Sequence, residues 1–280
     1  MKIKITSDST CDLSQELIQK YNIGICPLTV VKDGKTFKDG VDINPADIFA
    51  HVAAGGDLCS TTAINIDEYV AFFERFTGEY DALIHINLGS GFSSCHQNAR
   101  LAADDFENVY VIDSQNLSTG QGLVVLKACE LVSSGMDAAS ITEQLQSFTE
   151  KVEASFLLDQ LKYMVKGGRC SSVAALGANL LGLKPCIEVK NGKMSVVKKY
   201  RGNYAKCLSN YITERLTNRE DLDKQTLFIT HTPVSEECMQ AVQETVHNVA
   251  DFKNIYQTQA GCTVSCHCGP GTLGVLFVRK

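Results

Sequence analysis

Long apolar runs, a surplus of basic charge, internal repeats and proline-rich linkers are all missing from this chain of 280 residues. A bilayer span needs about 20 consecutive apolar residues, and the longest uncharged helical stretch, Cys170 to Leu183, falls short of that. With 26 basic against 32 acidic side chains the formal charge is −6. Nucleic-acid binding, which needs clustered Lys and Arg to neutralise phosphates, is therefore not expected. Met1-Lys2-Ile3-Lys4-Ile5-Thr6-Ser7-Asp8 reaches a carboxylate before a signal-peptide core develops, so a cytoplasmic location without stable membrane insertion is expected. No Gly-x-x-x-x-Gly-Lys-Ser/Thr phosphate loop occurs, and Ser90 lacks the upstream glycine of a nucleophile elbow. Gly89-Ser90-Gly91-Phe92-Ser93-Ser94 imitates a dinucleotide-binding loop only weakly. Ser94 stands at its third glycine, and the acids that follow, Asp104 and Asp105, fall in an expected helix.

What remains is the composition of an ordinary globular protein, 44% hydrophobic and 21% charged. At roughly 150 residues per domain the length fits one large or two medium domains. Twelve cysteines stand out. In a short secreted chain they would form a disulfide framework, but here most sit singly in apolar surroundings, as Cys129 and Cys186 do, and read as small buried hydrophobes. Cys262, Cys266 and Cys268 cluster around His267. Three adjacent ligands at 266–268 suit a tetrahedral ion poorly and the usual Cys-x-x-Cys pairs are missing, so no metal is expected.

The first half alternates short apolar runs with helical patterns, the mark of a parallel sheet. Strands are expected at Ile3–Thr6, Asp81–Asn87 and Val109–Ile112, with helices at Pro45–Ala53, Asp67–Phe76, from Ser94 to about Asp105, from near Thr119, and at Ala138–Lys151. Another helix should follow Arg169. Beyond Pro185 the pattern changes to a mixed sheet with helices. Cys186–Val189 and Met194–Lys199 form a hairpin through Asn191-Gly192, whose residues tolerate the positive φ of a type I′ turn. Helices at Tyr204–Leu216 and Ser235–Val249 alternate with strands at Thr226–Thr230 and Asn254–Thr258, and Leu273–Val278 is the last strand. Two α/β domains, 1–155 and 156–280, are expected.

Three N-terminal strands end in hydroxyl-rich loops: Ser7-Asp8-Ser9-Thr10, Ser90 to Ser94, and Asp113-Ser114. Ligands of open α/β sheets bind beyond the carboxyl ends of the strands, so these loops should share one crevice. Ser93 precedes a helix whose free N–H groups favour an anion. The competing reading is helix capping, for which Ser, Thr and Asp are the preferred residues. Gly167-Gly168-Arg169 lets the backbone turn tightly and present a guanidinium to a carboxylate or phosphate; the plainer reading is a helix end followed by a solvated arginine. His267, ahead of Gly269-Pro270-Gly271, is expected in a turn and offers a second donor.

Taken together, these motifs resemble the DegV family of fatty-acid-binding proteins. The likeness runs from Ser7-Asp8-Ser9-Thr10 through Pro27-Leu28, Thr61-Thr62, Phe92 to Ala99, Ile112-Asp113-Ser114, Lys166 to Arg169 and Leu183-Lys184-Pro185 to His267-Cys268-Gly269-Pro270-Gly271. The resemblance implies an N-terminal three-layer α/β/α domain with a mainly parallel sheet, beside a two-layer α/β domain with a mixed sheet. A long-chain fatty acid would lie in a tunnel between them. It also implies that Thr61 and Ser93 hold the carboxylate while Arg169 and His267 supply positive character. The chain would then be a non-catalytic binding subunit without cofactor, presenting its acid to a separate ATP-dependent fatty acid kinase. Two places depart from the family pattern: Ser93-Ser94-Cys95 replaces Ser-Gly-Thr, and Ser60-Thr61-Thr62-Ala63-Ile64 replaces Thr-Ser-Gln-Pro-Ser. The alternative is a phosphoryl- or acyl-transfer enzyme using the same crevice.

Overall fold

Ile3–Asp8 (β1) is buried along its whole length, as a central strand covered on both faces must be. In a computed structural model describing residues 1–175 and 182–280 it is followed by α1 (Gln15–Lys20), β2 (Gly24–Cys26), β3 (Thr29–Lys32), β4 (Lys35–Lys38), α2 (Pro45–Ala53) and β5 (Ser60–Thr62). Then come α3 (Ile66–Thr77), β6 (Ala82–Asn87), α4 (Cys95–Ala103), β7 (Val109–Asp113), α5 (Thr119–Ser133) and α6 (Ala138–Thr149). The second half holds β8 (Val152–Leu157), α7 (Lys162–Gly167), α8 (Ser171–Ala174), β9 (Leu183–Lys190), β10 (Lys193–Arg201) and α9 (Tyr204–Leu216). It ends with β11 (Leu222–His231), α10 (Glu236–Val249), β12 (Asn254–Gln259), α11 (Cys262–Cys268) and β13 (Leu273–Arg279). The helix expected after Arg169 begins as α8; residues 176–181 of the uncharged stretch lie outside the described residues.

The fold has two α/β domains. In the first, a parallel four-stranded sheet of order β2-β1-β6-β7 has α3 and α4 on one face and α5 and α6 on the other. A small antiparallel sheet, β4-β3-β5, carries Thr61 opposite Val30. In the second, six strands run in the order β10-β9-β8-β13-β11-β12, mixed because β11 and β12 are parallel while the other pairs are antiparallel. Helices α9 and α10 cover its outer face with a separate apolar core around Tyr211, Leu227 and Phe277. Ser155, the expected end of the first domain, lies within β8 of the second sheet.

Helix α5 joins the halves. It touches β1 and β6 of one sheet and β8 and β13 of the other. A helix covered on two sides cannot have one polar face, which is why α5 is buried from Thr119 to Val125 and again at Ala128, Cys129 and Leu131. One continuous core therefore runs from Ile5 and Ile84 through Val124 to Ala154 and Leu276. The hairpin turn forms as expected, with φ of 50° at Asn191 and 67° at Gly192. It presses on the β6–α4 loop: a Cβ at Gly91 would lie 2.0 Å from the Gly192 carbonyl oxygen. Close packing between the halves, rather than a phosphate, explains that glycine.

A cavity between the two sheets

Gly167 and Gly168 close α7, with Gly168 in the left-handed region, and turn Arg169 toward α11. A Cβ at Gly167 would stand 2.5 Å from His267 Nδ1, so the absent side chain is the space the imidazole occupies. His267 lies in the last turn of α11, not in the turn its sequence context suggests. The run Cys-Thr-Val-Ser-Cys-His-Cys has weak helix propensity, and its helicity is imposed from outside. Asp39 accepts hydrogen bonds from the Cys262 and Thr263 amides at 2.9 and 3.0 Å, and Asp12 accepts from the Gly261 amide at 2.9 Å. Two carboxyls more than two hundred residues away along the chain thus cap this helix. Burial pushes the Asp12 carboxyl up to about 8.

Thr61 in β5, Ser93 before α4, Arg169 after α7 and His267 in α11 all line one cavity, joined by Thr10, Leu28, Phe92, Met164, Met194 and others. The space between its walls, open solvent at the mouth included, is about 760 Å³. Thr61 Oγ1 shares a 2.8 Å hydrogen bond with His267 Nε2. Ser93 Oγ accepts the Cys95 amide and donates to Cys95 Sγ, each at 3.2 Å. Sulfur is a weak acceptor, so this hydroxyl proton is readily redirected to a better one. Arg169 is exposed and Nη1 folds back onto the Gly167 carbonyl at 2.6 Å.

The electrostatics correct one expectation. Burial first, and the nearby Arg169 charge second, hold the His267 imidazole down at about 4, so it is neutral at physiological pH and supplies no positive charge. Its Nδ1 is buried without a partner. Among the described lining residues the cation is Arg169, aided by the N-terminus of α4. Such a site suits a single anionic group attached to an apolar body.

The three hydroxyl loops contribute unequally. Thr10, Ser93 and Ser94 reach the cavity. Ser7, Ser9 and Ser114 are engaged elsewhere: Ser7 donates to the Ile86 carbonyl, Ser9 to Asp39, and Ser114 to the Asn116 carbonyl. Asp113 accepts from the Ser90 amide and hydroxyl. Those side chains are committed within the protein, though not as the helix caps expected of them. Ser94, standing where the family pattern has glycine, has φ −79° and ψ 3°, a conformation any residue adopts, so the lost glycine brings no strain. The apolar lining from Leu28, Met164, Met194 and Val264 carried no signal in the sequence, because nothing in a buried aliphatic residue tells core from cavity wall.

All twelve cysteines are buried and free. Cys262 and Cys266 face the small core with Val30 and Ile48, while Cys268 turns toward the cavity, so the three thiols do not converge. No His, Cys, Asp and Glu group suited to a metal occurs among the described residues. No helix among them is long and apolar enough to cross a membrane.

A family profile described as uncharacterised protein, DegV family, matches residues 2–280. The chain belongs to the DegV family. DegV domain-containing proteins of Caldanaerobacter subterraneus and Clostridium acetobutylicum are each 31% identical to it, covering 100% of this chain and 99% of the relative. Among solved structures it is similar to a Thermus thermophilus DegV family protein described by its fatty acid binding, with a TM-score of 0.90 at 25% identity over the whole of both chains. Bacillus subtilis DegV, described as a fatty acid binding protein, aligns at a TM-score of 0.85 and 26% identity, again over 100% of both chains. A stearic acid-binding protein from Eubacterium ventriosum aligns at 0.83 and 25%, covering 99% of this chain and 98% of that one. As the TM-scores show, this chain shares their fold; here a parallel and a mixed sheet lie side by side, and the cavity is lined from both halves.

Proposed function

We propose that this protein binds a long-chain fatty acid between two domains divided near residue 155. The carboxylate is held by the Thr61 and Ser93 hydroxyls, with Arg169 and the neutral His267 beside it. The observation that carries this reading is the meeting of those four residues in the wall of one cavity whose remaining lining is mostly apolar. The fatty acid binding described for the Thermus, Bacillus and Eubacterium relatives supports it. Each CH₂ removed from water contributes about 0.8 kcal/mol, so a sixteen-carbon tail gains roughly 11 kcal/mol before ordering costs are subtracted. The head group adds selectivity: the cavity hydroxyls and the guanidinium beside them match a carboxylate, which accepts more strongly than an alcohol or ester.

The protein acts as a cytoplasmic, non-catalytic carrier. It presents the acid to a separate ATP-dependent fatty acid kinase, which forms the acyl phosphate. Extraction of the purified protein followed by mass spectrometry should reveal a bound fatty acid, and titration with palmitate should saturate one site. Protein recovered empty and indifferent to palmitate would sink the proposal. The Thr61–His267 hydrogen bond favours a second reading, a hydroxyl nucleophile with an imidazole base. The bare Nδ1 weighs against it, since such a base is ordinarily oriented by a third group. Acyl or phosphoryl transfer by the isolated chain would establish it.

A further inference from the structure

Two of the twelve thiols lie side by side next to the Thr61–His267 pair. Cys59 immediately precedes β5, two residues before Thr61, and Cys266 precedes His267 in α11. Both are buried in the small core with Val30 and Ile48, and their side chains interact directly. We infer that Cys59 and Cys266 form a redox-sensitive dithiol, which oxidation closes into a disulfide across the two halves of the chain. Closing it weakens the grip on the acid at the neighbouring head group, a consequence that rests on the fatty-acid reading.

The choice of partners follows from what each thiol is doing. Cys262 shares the small core with Cys266, one turn away on α11, but its thiol donates to the Ile43 carbonyl at 3.2 Å. Cys59 is the more exposed of the pair and follows the loop after α2, where Ala54, Gly55 and Asp57 are exposed. Hydrogen peroxide reaching that edge is attacked by the Cys59 thiolate, which breaks the O–O bond and leaves a sulfenic acid and one water. Cys266 then attacks the sulfenic sulfur, and the displaced hydroxyl leaves with the Cys266 proton as a second water. The two thiols have given up two electrons and two protons, and the peroxide has taken them. Burial pushes both thiols up, so few thiolates form near neutral pH and the bridge answers sustained rather than brief oxidation. In a reducing compartment the pair stays open. The coupling to the head group is steric. A disulfide draws its sulfurs to about 2 Å, closer than two unbonded thiols approach. Thr61 and His267 are matched at 2.8 Å before that contraction, and the imidazole already fills the space beside Gly167. The contraction therefore shifts β5 against α11 where the ring has no room to follow.

Peptide mapping of the full chain, together with calorimetric titration with palmitate, tests this. After treatment with hydrogen peroxide and blocking of the remaining thiols, the non-reduced digest should contain a linked Cys59–Cys266 peptide that a dithiol reductant separates. Palmitate should bind the oxidised chain about tenfold more weakly than the reduced one, roughly the value of one hydrogen bond, and reduction should restore it. Cys59→Ala should bind palmitate as the reduced parent does and lose the response to peroxide. Cys266→Ala takes its place if that variant does not fold. A digest without the linked peptide, a Cys262 linkage in its stead, or equal palmitate affinity before and after oxidation overturns the inference. So does a loss of affinity that persists in the cysteine variant. Reduced protein indifferent to palmitate overturns the carrier reading and the coupling with it.

Discussion

The molecule contains two threonine–histidine pairs of almost equal length in opposite surroundings. Thr6 Oγ1 meets His85 Nδ1 at 2.9 Å in the parallel sheet; Thr61 Oγ1 meets His267 Nε2 at 2.8 Å in the cavity. Behind His85 stands the Asp8 carboxyl, which also accepts from Tyr69, Asn87 and the Leu88 amide. Both nitrogens of His85 are therefore matched in a sealed interior. His267 has no carboxyl behind it, and its Nδ1 faces the space left by Gly167. Neither burial nor the Thr–His bond distinguishes a fully matched histidine from one with a nitrogen left unpartnered. The difference lies in whether the surrounding polar groups are already satisfied.

That contrast breaks most visibly at Asp8. Asp8→Ala leaves four interior donors without their acceptor and should cost about 3–5 kcal/mol of stability, read from urea unfolding. A variant as stable as its parent would place His85 in the same category as His267. Next comes the cavity pair. Thr61→Ala combined with Ser93→Ala should weaken palmitate at least about a hundredfold, because two hydrogen bonds to a charged group are lost, while the unfolding midpoint stays close to that of the parent. Unchanged affinity would put the anion elsewhere.

A smaller effect is expected from Gly167→Ala. The added methyl displaces the imidazole, which should weaken palmitate about tenfold, roughly the value of one hydrogen bond. Added to His267→Ala it should do little more, since both act through one ring; full additivity would show that Gly167 matters for another reason. A further test is pH. Folding lowers the His267 pKa from 6.5 to about 4, so between those values the unfolded chain holds the extra proton and stability rises with pH. Folding raises the Asp12 pKa from 3.8 to about 8, so there the folded chain holds the extra proton and stability falls as pH rises toward 8. The two slopes oppose each other below about 6.5, leaving the Asp12 decline above it. Asp12→Asn should abolish that decline, and His267→Gln should extend it to lower pH. Unfolding midpoints measured from pH 4.5 to 8.5 that keep the parent's profile in either variant would deny that variant's group its part.

Local rules account for what was legible in advance. Pro45–Ala53 and Tyr204–Leu216 carry both apolar spacing and caps, and both are helices over those residues. The Asn191-Gly192 hairpin needed only turn chemistry. The small sheet that carries Thr61 is not legible, because β3 and β4 have four residues each and β5 three, too little pattern to read. The helical state of His267 was equally hidden, since its caps, Asp12 and Asp39, come from the other end of the chain.

By itself the sequence determined the two-part α/β plan, through apolar periodicity and turn residues that act over a few positions. It also set which groups are available to an anion. Tertiary structure alone decided which hydroxyls remain available for a ligand and which are committed to the protein, and it left His267 neutral. Both outcomes depend on burial and on partners brought together from distant segments, and burial is a property of the packed chain rather than of any residue in it.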